Sequence, residues 1–188
     1  MSNFISSQLP AVLNNVQRAR ATQGGEQTIE DNLEEVYKCL FQSLMAGDID
    51  ITYSGSTAIT CFVSGNSIYT ANCGDSRAVL GFRNEEGKWA YQSLSRDHKP
   101  GLEDEMQRIY QCGGRVEPYL IEGEYLGPNR VWLRDENVPG LAMSRSIGDL
   151  VAASVGVAWM PGKKSTTSFI PKSKTFNFFL FFIFLENF

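Results

Sequence analysis

The stretch SGSTAITCFVSGNSIYTANC, Ser54 to Cys73, decides the fold class of this 188-residue chain. It holds two runs rich in Thr, Ile, Val, Phe and Tyr, residue types that favour strands, on either side of Gly65 and Asn66. A Gly-Asn pair suits a tight hairpin turn, which needs positive φ. The run from Thr57 to Val63 is apolar on both faces, so we predict a strand that is covered on both sides.

Two amphipathic helices are predicted before this hairpin. Apolar residues recur at helical spacing between Phe4 and Arg20, with Pro10 as a candidate kink. Thr28 and Asp31 give the pattern of a capping box at the start of a second helix, which should end at Gly47. Because the loop between the two helices is short, we expect them to lie antiparallel.

Strands dominate the chain after the hairpin. The segments Arg77 to Phe82 and Lys88 to Leu94 continue as strands, and a third helix is predicted from Leu102 to Cys112. Short strand-like pieces follow around Val116, Val131 to Leu133 and Leu141 to Met143. Helices followed by a run of hairpin-linked strands are typical of an α+β fold with an antiparallel sheet.

Composition and charge limit the class of protein. With 43% hydrophobic and 20% charged residues, the chain resembles folded soluble proteins rather than disordered ones. Its net charge of -4, without a visible basic patch, argues against a nucleic-acid binder, since that affinity comes mostly from clustered Lys and Arg. The opening MSNFISSQLP lacks the pattern of a secretory signal. We therefore expect a cytoplasmic or nuclear monomer with reduced cysteines.

The end of the chain differs in composition from the rest. Of the 12 phenylalanines, 8 lie between Phe169 and Phe188, and the apolar run from Phe176 to Leu185 is too short to span a bilayer, which takes ~20 residues. We therefore predict one partial domain over residues 1–157 and a divergent Phe-rich tail over 158–188, outside the fold. A tail never selected to pack, such as translated non-coding sequence, is our main hypothesis, and a shallow membrane contact is the alternative.

Asp75, within NCGDSRA, is the first candidate for chemistry. It follows a predicted strand and Gly74, and carboxylates at strand ends often belong to functional sites. An Asp beside Gly in a turn also commonly hydrogen-bonds its own backbone. A divalent cation needs several oxygen ligands, so one carboxylate cannot hold it unaided. Metal ligand and turn former both remain open from this segment alone.

Two further segments contain polar residues that could act in a site. His98, the only histidine, lies in SRDHKPG and is interpreted as a loop-ordering residue, since no hydrolase nucleophile with matching spacing is visible. In GLAMSRSIGD, Arg145 could bind a phosphate in bidentate fashion, and Asp149 could pair with a cation or an arginine. A strand that ends in an Asp turn explains the same residues without a ligand.

Five segments taken in order closely resemble the metal-dependent protein phosphatase 2C family. They are SGSTA (54–58), NCGDSRA (72–78), LSRDHKP (94–100), CGGRV (112–116) and LAMSRSIGD (141–149), and the similarity covers roughly residues 2–157. The resemblance implies an antiparallel β-sandwich flanked by helix pairs. It also implies phosphoprotein substrates, whose phosphoserine and phosphothreonine are hydrolysed by a water bound between two Mg or Mn ions.

The resemblance also assigns residues. Asp75 matches a family aspartate at an additional, weaker metal position, with Arg77, Arg145 and Asp149 as supporting residues. No catalytic residue is assigned, because the family's DGHGG and its later DG and DN metal segments do not occur in this sequence. We expect a truncated phosphatase domain with little or no activity. The alternative is a non-catalytic, phosphoprotein-binding or regulatory pseudophosphatase fragment.

Overall fold

The computed structural model describes residues 1–23, 28–167 and 179–183. Within these ranges the chain forms four helices: α1 (Ser2–Gln23), α2 (Ile29–Met45), α3 (Glu103–Gln111) and the single turn α4 (Leu150–Ala153). The predicted capping box is confirmed, since the Thr28 hydroxyl accepts from the Asp31 amide while the Asp31 carboxylate accepts from the Thr28 amide, both at 3.2 Å. Pro10 lies inside α1, which continues through it.

The described strands form four small antiparallel sheets. The first pairs β1 (Gly55–Ser56) with β9 (Ile147–Gly148), and the second joins β2 (Ala58–Ser64) to β3 (Ser67–Cys73) and β3 to β10 (Gly162–Thr167). The third joins β5 (Trp89–Ser93) to β4 (Arg77–Arg83) and β4 to β11 (Phe179–Ile183), and the fourth contains β6 (Arg115–Ile121), β7 (Glu124–Trp132) and β8 (Pro139–Leu141). Helices combined with antiparallel sheets confirm the predicted α+β class.

The hairpin β2–β3 lies at the centre of the molecule. Ser64 pairs with Ser67, so the turn contains only Gly65 and Asn66, and Gly65 has φ 58° as the sequence predicts. Helices α1 and α2 cover one face of the hairpin, where the Tyr37 hydroxyl donates to the Ala71 carbonyl at 2.8 Å. On the other face a second apolar cluster packs against β4 and the end of β5; it contains Ile68, Ala78, Leu80 and Leu94. The strand buried on both faces is therefore β3, whereas β2, which contains the predicted run from Thr57 to Val63, is mostly half-buried and its Val63 is exposed.

The hairpin β6–β7 is longer than the sequence indicated. Its strands meet at Glu122 and Gly123, which have φ values of 51° and 88°. We predicted only short pieces around Val116 and Val131. The reason is that the apolar side chains near the tip lie in solvent rather than on one buried face, so the pattern has no clear alternation; Tyr119, Leu120, Ile121, Tyr125 and Leu126 are all exposed.

Two strands fall within residues 158–188. Strand β10 pairs with β3, with Gly162 opposite Asn72, and β11 pairs with β4, with Phe179 opposite Gly81. The remaining residues of the Phe-rich run lie outside the described residues. The predicted domain boundary at Val157 stays a prediction, although the ladder places residues 162–167 against the central sheet.

Among the described residues, no helix combines the length and the apolar sequence needed to cross a membrane.

Candidate functional site

The SGSTA and SRSIGD segments meet through β1 and β9, where Gly55 pairs with Gly148. A Cβ atom on Gly55 would lie only 1.9 Å from Oδ2 of Asp149 and 2.2 Å from Oγ of Ser146. The lack of a side chain at position 55 therefore lets this backbone approach a carboxylate closely. The sequence analysis did not single out Gly55, although it lies within the SGSTA motif.

Asp149 lies at this contact and is buried. Its Oδ2 accepts a hydrogen bond from the Ser146 hydroxyl at 2.6 Å, and its amide donates to the Ser54 carbonyl at 2.8 Å. Burial raises the pKa of the Asp149 carboxyl above its ordinary value, and the Ser146 hydrogen bond only partly opposes this. Asp149 thus supports the motif contact, and the structure gives it a hydroxyl partner where the sequence suggested a cation or an arginine.

Glu105 is a second buried carboxylate, and it joins α3 to the SRSIGD segment. Its Oε1 accepts from Nη2 of Arg145 at 2.6 Å, and its Oε2 accepts from Nη2 of Arg108 at 2.7 Å and from Oγ of Ser144 at 2.6 Å. Burial raises the pKa of Glu105, but these hydrogen bonds outweigh it and hold the pKa well below the ordinary range. Glu105 is therefore ionised and fully engaged.

The guanidinium of Arg145 uses all three of its nitrogens in hydrogen bonds within the chain. Besides Nη2, its Nε also donates to Glu105, at 3.0 Å, and its Nη1 donates to the Met160 carbonyl at 2.9 Å. The bidentate geometry that the sequence suggested for a phosphate is thus used by a carboxylate of the same chain. Arg145 therefore ties the SRSIGD segment to α3, and its role as a supporting residue of the site stays a prediction.

Asp75 lies at the end of β3 and is buried. The ammonium of Lys99 approaches its Oδ2 to 2.5 Å. The neighbouring Arg77 forms a bidentate pair with Asp97, with nitrogen to oxygen distances of 2.9 and 2.7 Å. A Cβ on Gly74, whose φ is 102°, would lie 2.4 Å from the Thr57 side chain. The Asp75 turn is therefore held by the SGSTA segment on one side and by the DHKP loop on the other.

His98 connects three of the motif segments. Its amide and its Nδ1 both donate to the Gly74 carbonyl, at 3.1 and 3.0 Å, and its own carbonyl accepts from the Ser144 amide at 3.0 Å. Because a carbonyl can only accept, Nδ1 carries the proton. Burial, and then the nearby guanidinium of Arg145, lower the pKa of His98 to about 4. This placement favours the loop-ordering interpretation.

The described residues do not fit a binuclear metal centre. Within residues 1–23, 28–167 and 179–183, no group of three or more His, Cys, Asp or Glu side chains could hold an ion together. Mg²⁺ and Mn²⁺ prefer several oxygen ligands around each ion. Asp75 supplies one carboxylate, and that carboxylate faces the ammonium of Lys99.

Sequence reasoning missed the residues that hold the motifs together. Glu105 could have been found, because it follows Leu102 by three residues and precedes Ile109 by four, on the apolar face of α3. A charged residue on that face needs buried partners. Arg108 follows Glu105 by three residues on the same helix, but no local pattern identifies Arg145, which lies 40 residues further along the chain.

Comparisons with known proteins identify a family and several relatives. A family model described as protein phosphatase 2C matches residues 1–168. Probable protein phosphatase 2C 73 from Arabidopsis thaliana is 45% identical over 113 residues, which cover 60% of this chain and 30% of that protein. Probable protein phosphatase 2C 35 from the same plant is 34% identical over 179 residues, covering 85% of this chain and 48% of that protein. The chain thus spans less than half the length of these relatives.

Solved structures share the fold. A serine-threonine phosphatase 2C from Toxoplasma gondii superposes with a TM-score of 0.68 at 19% identity, covering 87% of this chain and 60% of that one. A C. elegans sex determining protein gives a TM-score of 0.67 at 22% identity, covering 89% of this chain and 36% of that one. The match of the family model to residues 1–168, most of this chain, shows that the chain belongs to the protein phosphatase 2C family.

Proposed function

We propose that this chain provides the central scaffold of a metal-dependent protein serine/threonine phosphatase, and that the polypeptide by itself has little or no phosphatase activity. Family membership supports the first part. The second part depends on one observation: among the described residues, Asp75 is the single carboxylate that the family resemblance assigns to a metal, and no cluster of ligands surrounds it.

The chemistry explains why a single carboxylate is too few. A pair of divalent ions, when bound, supplies an activated water and neutralises the phosphoryl oxygens. Each ion needs several oxygen ligands. Asp75 could contribute one of them, and its Oδ2 already lies 2.5 Å from the Lys99 ammonium.

The chain's own residues hold the backbone before Asp75 and the loop that faces its carboxylate. Asn72 and His98 both donate to the Gly74 carbonyl, at 3.1 and 3.0 Å, which holds the backbone immediately before Asp75. The Arg77–Asp97 pair holds the loop that carries Lys99. The scaffold therefore positions one acidic group before any metal or substrate is present.

For the whole protein we infer phosphoprotein substrates and Mg²⁺ or Mn²⁺ as the cofactor. The family match supports both inferences, and the choice between the two metals stays open. Substrate identity would depend on surfaces beyond the motif segments.

The experiment is a phosphate-release assay on the purified 188-residue polypeptide. A phosphothreonine peptide is incubated with millimolar Mn²⁺ or with a chelator, beside an active 2C phosphatase as positive control. We expect equal rates in the two conditions. A rate with Mn²⁺ that is far above the chelated control, and that Asp75→Asn abolishes, would show that this chain builds a working metal site. An activity that survives Asp75→Asn and the chelator would point to a contaminating phosphatase.

A further inference from the structure

A basic pocket lies between the loop after β5 and the start of β10. Its volume is about 250 Å³, and its walls include Arg96, His98, Arg145, Lys163 and Lys164. Among the described residues, no aspartate or glutamate lines it. The sequence showed no basic patch because these residues come from three separate segments that the fold brings together.

The walls of the basic pocket hold more positive than negative charge. Arg145 and Arg108 share one carboxylate, Glu105, so this group retains a net positive charge. The ammonium of Lys164 donates to the carbonyl of Ser93 at 2.7 Å, a partner that satisfies one N–H without neutralising the charge. Both excess charges lie next to the same cavity.

The other two cations are paired but keep hydrogen-bond donors. Arg96 binds Asp104 through Nη1 and Nη2, at 2.8 and 2.6 Å, and Lys163 binds Glu34 at 2.5 Å and also lies 3.9 Å from Oδ1 of Asp31. A guanidinium has five N–H groups and an ammonium has three, so each side chain retains donors beyond these contacts. The Arg96 side chain is 56% exposed, so the basic pocket opens to solvent.

His98 adds a polar atom to the wall of the basic pocket. Its Nδ1 is used by the Gly74 carbonyl, which leaves Nε2 as the nitrogen that faces Gly162. A Cβ on Gly162 would lie 2.7 Å from Nε2. The lack of a side chain at position 162 therefore lets the backbone of β10 pack directly against the imidazole at the wall of the pocket.

We propose that the basic pocket binds a phosphoryl oxyanion, either free inorganic phosphate or a phosphoryl group carried on a peptide. Lysine and arginine donors around a small cavity match the charge and the several acceptor oxygens of such an anion. The excess positive charge on the walls favours a dianion over a neutral ligand. This inference does not rest on the proposed function, because binding here requires neither a metal nor hydrolysis.

The sole histidine makes the test direct, since His98 gives the single set of imidazole resonances in the chain. Inorganic phosphate is titrated into the full polypeptide at fixed pH, with chloride replacing it at equal ionic strength in the reference. We expect a saturable shift of the His98 resonances with phosphate and none with chloride. Removing one charge-assisted contact by Lys164→Gln should weaken phosphate binding about tenfold.

Lys88→Gln is the matched control. Lys88 is also an exposed strand-side lysine, but its ammonium pairs with Glu86 at 2.8 Å, away from the basic pocket. This variant should bind phosphate like the parent. Unfolding temperatures of both variants show that neither change disturbs the fold.

A second arm separates the two sources of the anion. A phosphoserine peptide that binds more tightly than inorganic phosphate, while the unphosphorylated peptide does not bind, would identify a peptide-borne group. Equal or weaker binding of the phosphopeptide would identify free phosphate. The proposal is overturned if neither ligand produces a saturable shift, or if Lys164→Gln and Lys88→Gln weaken binding equally.

Discussion

Glu105 and Asp149 are both buried carboxylates that anchor the SRSIGD segment, yet their surroundings differ. Glu105 accepts hydrogen bonds from two arginines and a serine, whereas the side chain of Asp149 accepts from the Ser146 hydroxyl. The pKa of Glu105 lies below its ordinary value, and the pKa of Asp149 lies above it. Burial alone disfavours the charged form of both groups, so the number and charge of the donors decide the direction.

The comparison shows that the SRSIGD segment is held by two different kinds of contact. The contact with α3 is electrostatic, because Glu105 pairs with Arg108 and Arg145. The contact with β1 is steric, because the Asp149 carboxylate occupies the space that a side chain at position 55 would need. The first contact should depend on charge, and the second on volume.

Replacing Glu105 should have the largest effect. Glu105→Gln removes the negative charge and leaves Arg108 and Arg145 without their common partner, which should lower the free energy of unfolding by ~3–5 kcal/mol. The measurement is denaturant unfolding at pH 7, where the parent carboxylate is ionised. Glu103→Gln, an exposed change in the same helix, is the control and should cost less than ~0.5 kcal/mol.

The pH dependence of stability in the parent and in Glu105→Gln gives a second test of this contact. Because the folded pKa of Glu105 is depressed, its contribution to stability is present above the unfolded value of 4.5 and is lost as the pH falls through the folded pKa. The difference between the parent and Glu105→Gln should therefore be full at neutral pH and shrink in strong acid. A difference that is constant down to strong acid would mean that the charge of Glu105 is not what holds the segment.

Adding a side chain at Gly55 should lower the stability by an intermediate amount. Gly55→Ala places a methyl group where the Asp149 carboxylate lies, and overpacking of this kind costs ~1–3 kcal/mol. Thermal unfolding measures the loss. Asp149→Gly in the same chain removes the obstructing carboxylate and suits the φ of 50° at that position, so the double variant should recover part of the loss.

A second glycine serves as the control for this prediction. A Cβ on Gly47 would meet its nearest neighbour, the Ser43 carbonyl, at 3.3 Å, so Gly47→Ala should change stability far less than Gly55→Ala. Equal losses from the two changes would contradict a specific contact at position 55.

Neutralising Asp149 should have the smallest effect, and in the opposite direction. The folded pKa of Asp149 is raised, so its contribution is fully present below the unfolded value of 3.8 and is lost as the pH rises through the folded pKa. Asp149→Asn avoids that loss and still offers an oxygen to Ser146. At pH 7 the variant should equal or exceed the parent by less than ~1 kcal/mol, the scale of one neutral hydrogen bond. Denaturant unfolding at pH 7 and pH 3 checks this, and a clearly less stable variant at pH 7 would contradict it.

Local patterns explain which parts of the fold the sequence could predict. The Gly65–Asn66 turn and the Thr28 capping box depend on residues within a few positions of one another, and both are confirmed. The β6–β7 hairpin was predicted only in pieces, because its apolar side chains are exposed near the tip and do not mark one buried face.

The candidate site was less predictable for a related reason. Asp75, Arg77, Arg145 and Asp149 were chosen from motifs; the structure supplies partners from distant segments for the first three, whereas the Asp149 side chain accepts from the nearby Ser146. Lys99 lies 24 residues beyond Asp75, and Glu105 lies 40 residues before Arg145. Each of these pairs requires the completed fold, so no spacing rule could reveal it. The basic pocket is the extreme case, since it exists only where three segments converge.

The buried imidazole of His98 has a consequence for how the protein tolerates acidification. Its proton affinity is suppressed in the native state, with a pKa of about 4, while an unfolded histidine binds a proton near pH 6.5. Between about pH 4 and pH 6.5 His98 is protonated in the unfolded chain but neutral in the folded one. Lowering the pH through this range therefore favours unfolding. His98 thereby sets a lower limit on the pH at which the loops remain assembled.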